Sequence, residues 1–405
     1  MSKPHFDLII VGGGLVGASL ACALCNTNLR IAVIEKHSFN DQSQPSFDER
    51  TIALTWASRL IFESLGVWKD IKTEAGAIKS IHISDRGHFG TTRLNTAHVG
   101  TEALGYVVPT RKIGAVLYDK LKRSANIEII CPDEVSDSKS SPSEIICETL
   151  NGRRIHGKLA ILADGGRSDI GKQNNLFNDV EKYSQQALIS IVESDRISEQ
   201  TAYERFTEHG PLALLPMTDN RYALAWTLPS IEAARLMSST DIEFLSELQS
   251  AFGDRVGTFI RTGLRAVYPL SLGHLEKIHQ NRMLAIGNAA HIVHPVAGQG
   301  FNLGLRDVAE FVDYMESCVE LSEDPGENIN LEKYSAQRQK QVNRVVRFTD
   351  GLITMFTANS HGVSLARNIG LNAIDMSTQS KRFLLKKTMG IDGQLPRLIR
   401  EACEA

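Results

Sequence analysis

The 405-residue sequence has little of what would tie it together or anchor it by special means. Its six cysteines (Cys22, Cys25, Cys131, Cys147, Cys318 and Cys403) are too sparse for a disulfide scaffold and point to a reducing compartment. Cys22 and Cys25 form a CxxC, but the pair falls in the first helical pattern, facing the core at i and i+3. Small packing residues account for them better than a redox dithiol. No apolar run reaches the roughly 18 residues that cross a bilayer. The N-terminal apolar run reads as a strand and not as a secretion signal. A net charge of −3 gives nucleic acid no footing. His291 and His294 lack a carboxylate or thiolate set at ligand spacing, so no metal is expected. No internal repeat is visible. What remains is an ordinary globular composition, 42% hydrophobic and 22% charged, in a chain long enough for two domains.

Against that plain background the stretch Asp7 to Glu35 stands out. An apolar β-branched run ends in Gly12-Gly13-Gly14-Leu15-Val16-Gly17, a helical pattern follows, and a second apolar run closes on Glu35. Gly12 lets the chain turn sharply, Gly14 removes the Cβ that would block a pyrophosphate, and Gly17 lets the helix lie close on the strand. A helix starting near Leu15 points its free N–H groups and positive dipole end at phosphate. Glu35 sits where a carboxylate takes ribose hydroxyls. Glycine turns alone are common; strand, glycines, helix, strand and terminal acid in one unit specify a dinucleotide.

Two later segments repeat the pattern. The run Leu159 to Ala163 ends in Asp164-Gly165. The run Met283 to Ile286 ends in Gly287-Asn288, and Gly298-Gln299-Gly300 then opens a helix expected from about Phe301 to Cys318. Three strand-then-turn units would bring three loops to one sheet edge. A ligand held from adenine to ring system explains three such loops better than a nicotinamide nucleotide does. That points to resident FAD.

The glycine fingerprint, the Asp164-Gly165 turn and the Gly287…Pro295…Gly298-Gln299-Gly300 segment, in this order, resemble the class A flavoprotein aromatic hydroxylases over about residues 5–375. Within that group, Ser84-Asp85-Arg86-Gly87-His88, Glu204-Arg205-Phe206-Thr207-Glu208-His209-Gly210-Pro211-Leu212, Gly287-Asn288-Ala289-Ala290-His291 and His294-Pro295 resemble the ubiquinone-biosynthesis hydroxylases. Two departures are Asn288, where most of the wider family has aspartate, and Gly171, where it has an arginine given to pyridine-nucleotide contact. The resemblance implies an α/β fold: a Rossmann-like FAD-binding domain of the glutathione-reductase and para-hydroxybenzoate-hydroxylase type, an antiparallel-sheet substrate domain and a helical C-terminal tail. It implies a monooxygenase that hydroxylates a polyprenylated phenol with NAD(P)H and O2 through a flavin hydroperoxide. With one complete fingerprint present, NAD(P)H would bind transiently. A related flavin oxidoreductase of other ring position or chemistry, and a flavin-retaining structural subunit of a quinone-synthesis complex, are the alternatives.

The implied site follows. Gly12, Gly14, Leu15, Val16, Gly17, Glu35, Asp164, Gly165, Gly287, Asn288, Gly298, Gln299, Gly300, Phe301 and Asn302 would hold FAD. Arg50 and Arg111 match positions that reach its phosphates or ribityl chain, where a guanidinium fork suits phosphate. Pro295 packs at the flavin beside the substrate. Gly298 to Gly300 supply helix N-terminal donors to the reduced ring, and His294, like His291, orients a loop or moves a proton. Tyr203, Arg205 and His209 lie in an alternating pattern facing substrate or solvent.

Residues 1–80, 106–175 and 278–345 would build the FAD domain; 81–105 and 176–277 the substrate domain, with TAYERF, LALLPM and RYALAWTL as hairpin strands and helical patterns near 230–252. Asp133 to Ser143 and Leu321 to Asn328 read as polar connectors. In the tail, residues 346–405, Lys381-Arg382-Phe383-Leu384-Leu385-Lys386-Lys387 mixes cations with bulky apolar groups, and Val345, Val346, Phe348, Leu352, Ile353, Met355 and Phe356 follow helical spacing. Residues 333–405 carry twelve Lys/Arg against five Asp/Glu. Either the tail docks on a membrane surface or a multi-enzyme quinone-synthesis assembly, or it packs on the FAD domain with a solvated basic face. A cytoplasmic enzyme, peripheral on the inner membrane and open to homo-oligomer formation, is the resulting expectation.

Overall fold

A computed structural model describes residues 6–38, 50–176, 181–275, 277–292, 299–357 and 361–404. Among these residues the architecture is α/β, built on two large sheets and a small third one. The first is centred on strands too apolar to face water on either side. Leu8, Ile9, Ile10 and Val11 of Phe6–Val11 are all buried, as is every residue of Ile31–Ile34. Continuous burial of this kind belongs to parallel strands covered by helices on both faces. The order across the sheet is His279–Gln280, Met283–Ala285, Arg154–Leu162, Phe6–Val11, Ile31–Ile34 and Ile127–Ile130. Leu8 is paired with Leu159 on one side and Ile31 on the other, in parallel register. The first helix, Leu15–Ala23, is rich in small residues and lies between this sheet and the long helix Gln299–Leu321.

The second sheet is nine-stranded and mostly antiparallel. Its order is His291–Ile292, Ala266–His274, Glu181–Ser194, Arg221–Pro229, Gly210–Pro216, Thr201–Thr207, Ser80–Asp85 and Thr91–Asn95, with Phe259–Thr262 paired to Glu181–Ser194. Its hairpins turn where the sequence placed turn residues: Gly210 has φ +135° and Asp219 φ +64°. One face is covered by the helices Ser230–Ser238 and Asp241–Phe252, whose Phe244, Leu248 and Phe252 pack on Leu188, Leu212 and Leu224. The other face meets the first half of the molecule, where Ala202 and Ala223 pack with Ile78 and Val107. Strand His291–Ile292 follows directly on the third loop of the parallel sheet, so the two sheets are joined at that loop.

Several local expectations are corrected. The first helix ends at Ala23, so Cys22 is buried while Cys25 lies beyond the helix, half-buried; both are free. The polar stretch after Asp133 contains a strand, Val135–Ser140, paired with Ile145–Thr149. It escaped notice because only Val135 of it is buried. Arg50, which the sequence pattern sets just before a helix, precedes a strand, Thr51–Thr55, before the helix Trp56–Ser64 begins. The tail is part of the body: Leu385 and Met389 join the cluster under the second sheet, and Leu398 and Ile399 enter the main core. Val346 is buried with Leu303 and Val342. The side chains of Phe348, Leu352, Ile353, Met355 and Phe356 lie outside the described residues.

Candidate active site

Three loops converge at the N-terminus of the first helix. Gly12 has φ +104°, and a Cβ there would stand 2.7 Å from the Ala163 carbonyl oxygen and 2.8 Å from Asp164 Cα. At Gly17 a Cβ would collide with the Gly12 carbonyl oxygen, so the helix lies against its own turn only because both residues are glycine. Gly14 caps the helix in extended conformation, and its carbonyl accepts from Ala18 N–H at 2.8 Å. The Glu35 carboxylate is buried and braces this turn. One oxygen accepts from Gly13 N–H at 2.6 Å and the other from His37 N–H at 2.9 Å.

The second loop is held by Asp164, whose carboxylate accepts from Gly166 N–H at 2.9 Å and Ser168 N–H at 3.0 Å, and from the Ser168 hydroxyl. Gly165 and Gly166 both adopt positive φ. The third loop closes on the other two. A Cβ at Gly287 would lie 3.2 Å from the Val16 methyls, and one at Gly166 would lie 3.4 Å from the Asn288 carbonyl oxygen. Leu15 and Val16 are half-buried where the three loops meet, and Asn288 is exposed at the tip of its loop. At Gly171 a Cβ would stand 2.9 Å from the Leu176 carbonyl oxygen, so the arginine of the wider family would not fit this backbone.

Behind the third loop lies a buried cluster that the sequence reading missed. Asp307, on the helix Gln299–Leu321, accepts from Gly287 N–H at 2.7 Å, sits 2.7 Å from His291 Nε2, and accepts from Arg338 Nε–H at 2.6 Å. Burial by itself would raise the Asp307 carboxyl. The charges of His291 and Arg338 and the Gly287 N–H overturn that and hold it well below the usual carboxylate range. A signal was available, because Asp307 lies on the apolar stripe Gly304, Val308 and Phe311, where an unpaired acid would be prohibitive.

The start of the long helix is fixed from the other side. Asn302 Oδ1 accepts from Thr55 N–H at 2.8 Å and Ser58 Oγ–H at 2.7 Å, while its Nδ2 donates to the Ala53 carbonyl at 2.8 Å. Phe301 rests 6.3 Å, centroid to centroid, from Phe62. Gln299 and Gly300 form the first turn. His294, Pro295 and Gly298 lie outside the described residues, as does the Gln299 side chain. Arg50 stacks on Tyr268 at 5.3 Å, linking the strand Thr51–Thr55 to the second sheet. Arg111 stands in the first turn of Thr110–Lys122, where its guanidinium donates to Glu74 at 3.0 Å.

On the face of the second sheet away from the helices Ser230–Ser238 and Asp241–Phe252, Ile189, Ala213 and Ala225 keep partial exposure although they sit on central strands, which leaves an apolar cleft along that face. Tyr203 and Arg205 face the other way. Tyr203 packs edge-on to His82 and Phe252, on the side covered by helices. His209 lies exposed at the hairpin end.

The cradle fits FAD. Three glycine turns open space where any side chain would obstruct, and a helix N-terminus faces that space. Comparison with known proteins agrees. Residues 5–349 match the FAD binding domain family, and the chain belongs to it. It is a flavoprotein of the class A hydroxylase type, with FAD as its cofactor.

Relatives define the particular branch. The chain is 31% identical to ubiquinone hydroxylase UbiL of Rhodospirillum rubrum over 97% of this chain and 92% of that one. It is 27% identical to 3-demethoxyubiquinol 3-hydroxylase of Escherichia coli over 96% and 100%. The fold is that of p-nitrophenol 4-monooxygenase PnpA from Pseudomonas putida, with TM-score 0.79, 17% identity, and coverage of 97% and 99%. Klebsiella pneumoniae HpxO, solved with FAD, has TM-score 0.75 at 16% identity, with coverage of 96% and 99%.

Proposed function

We propose that this chain hydroxylates the aromatic ring of a polyprenylated phenol in ubiquinone biosynthesis, with NAD(P)H and O2 as co-substrates. The reaction resembles that of 2-octaprenyl-6-methoxyphenol hydroxylase. The observation that carries the reading is the junction of the three-loop cradle with an apolar sheet face, in a chain whose full-length relatives bear ubiquinone-hydroxylase names.

Bound FAD, reduced by NAD(P)H, supplies the chemistry by activating O2 and passing one oxygen atom to the ring. The chain's own residues do the rest. Gly12, Gly14 and Gly17 with the first helix hold the pyrophosphate, while Glu35 keeps the Gly13 turn shaped for it. Asn288, exposed at the tip of its loop, would offer its amide to a ribityl hydroxyl. The helix Gln299–Leu321 would turn its N-terminal end to the ring, and the family resemblance assigns Gly298, Gln299 and Gly300 to the ring and Pro295 and His294 to the substrate. Ile189, Ala213 and Ala225 exclude water from the ring. Arg50, already against Tyr268, and Arg111, with Glu74, complete the cofactor's surroundings.

A polyprenyl substrate partitions into lipid, so the enzyme meets it at a membrane surface. Among the described residues no helix is long and apolar enough to cross a membrane. Ile369, Met376 and Phe383 are exposed near Arg382, Lys386 and Lys387, which suits an anionic surface or an assembly partner. The test is O2-dependent NAD(P)H oxidation by the purified protein, stimulated by a prenylated phenol and matched by hydroxylated product. Oxidation without that product would refute the reading. In a strain lacking the gene, the accumulating intermediate names the ring carbon.

A further inference from the structure

One acid in the cleft has no role in the reading above. Glu204 occupies the strand Thr201–Thr207 between Ala202 and Phe206, and alternation puts all three on the face away from the helices Ser230–Ser238 and Asp241–Phe252. Ala202 packs with Ile78 and Val107 of the flavin-binding half, and Phe206 packs with Leu371, so the two neighbours fix the direction of that face. Pairing register carries a row across the sheet from Ile83 through Glu204, Ala213, Ala225 and Ile189 to Ala266. Tyr268, two residues on from Ala266, carries the Arg50 contact. Glu204 is thus the one acid in a row of small and aliphatic side chains lining the apolar cleft. Glu204 is half-buried, and among the described residues no hydrogen bond or ion pair reaches its carboxyl, although taking a carboxylate out of water without a partner is costly.

The charged groups on the elements around that face are engaged elsewhere. Asp85 pairs with Arg367, Asp375 with Lys381 and Arg59 with Glu63, while Arg50 lies against Tyr268. His82, Arg205 and Arg255 sit on the opposite side of the sheet, with His82 held between Arg255 and Tyr203. A phenol entering the cleft brings the hydroxyl that Glu204 lacks.

We propose that Glu204 is the catalytic base of the hydroxylation, accepting the proton of the substrate's phenolic hydroxyl. This rests on the phenol-hydroxylase reading. The O–H bond breaks, its electron pair stays on the phenol oxygen, and that charge enriches the ring carbons ortho and para to it. One of these takes the oxygen atom that derives from O2, with NAD(P)H supplying the two electrons that reduce the other oxygen atom to water. As that carbon gives up its hydrogen as a proton, which is taken up by the oxygen that leaves as water, the ring becomes aromatic again and the phenol oxygen takes its own proton back from Glu204. Burial pushes the Glu204 carboxyl up to about 7, where an acid–base group works best near neutral pH.

The experiment uses the full-length FAD-loaded protein, an ortho-prenylphenol as probe, and the variants Glu204→Gln and Glu204→Asp. With the oxidised enzyme and no reductant, ultraviolet difference spectra read the ionisation of the bound phenol. The parent is expected to bind it partly as phenolate at neutral pH, and Glu204→Gln to bind it only as phenol. In turnover, Glu204→Gln should lose product formation on the order of a hundredfold at neutral pH. It should recover as pH approaches the free phenol's own ionisation, and Glu204→Asp should restore part of the rate. Product formed by Glu204→Gln at the parent's rate and with the parent's pH profile would overturn the assignment while leaving the hydroxylase reading intact. If the parent itself made no hydroxylated product, both readings would fall.

Discussion

At the residue scale, Asp307 carries the most consequence. Its carboxylate joins Gly287 of the third loop to His291 and to Arg338. An Asp307→Asn substitution leaves Arg338 buried without its counter-charge, and breaking a buried pair in this way costs about 3–5 kcal/mol. The expected result is a lower denaturation midpoint and release of FAD, read by flavin fluorescence in the filtrate. Acid should act through the same residue. Its folded pKa lies below the ordinary value of 3.8, so the stability it contributes is present above about pH 4 and is lost as pH falls further. A parent and an Asp307→Asn protein that lose stability in parallel below pH 4 would contradict this. Sequence reading found the glycines and Glu35 because their spacing has a steric cause. It did not find Asp307 or Arg338, which are far apart in the chain and meet only through tertiary packing. Glu204 was within reach: the alternation that offered Tyr203 and Arg205 as candidates places Glu204 on the opposite face, and it is this face that lines the cleft.

Single elements set the geometry around these residues. The first helix lies on its turn because Gly17 has no side chain, so Gly17→Ala should abolish FAD retention or prevent folding, as read by flavin absorbance of whatever soluble protein is recovered. Full flavin content in that variant would mean that the close approach of helix and turn is not required. The helix His361–Met376 protects the sheet edge at Thr91–Asn95 with side chains. Asn368 accepts from Gly90 N–H at 2.6 Å, Asn372 from Thr91 N–H at 3.2 Å, and Asp375 from Arg93 N–H at 2.8 Å. An Asn368→Ala change strands the buried Gly90 N–H and should cost about 1–3 kcal/mol in chemical denaturation. The parallel strands were legible in the sequence because burial on both faces leaves continuous apolar runs. The strand Val135–Ser140 was not, since an edge strand with one buried residue has the composition of a loop. The strand Thr51–Thr55 was hidden by the helix that follows it at once.

At the scale of the whole molecule, the basic tail illustrates what composition leaves open. Its charge excess suggested a docking segment, yet Leu385, Leu398 and Ile399 are core residues, so removing residues 378–405 would damage the fold and test nothing about membranes. Surface substitutions are the cleaner probe. Phe383→Asp combined with Lys387→Glu removes an exposed cation–aromatic pair whose centroid distance is 4.6 Å. It should reduce sedimentation with anionic liposomes, most visibly at low salt, without changing FAD content. Equal sedimentation of both proteins would place the lipid contact elsewhere. The proposal depends most on the union of cradle and cleft: FAD held by three distant loops would pass oxygen to a ring lying against the second sheet. Turnover of an ortho-prenylphenol under isotopically labelled dioxygen tests this directly. The account predicts a product carrying one labelled oxygen atom, and a product whose new oxygen came from water would contradict it.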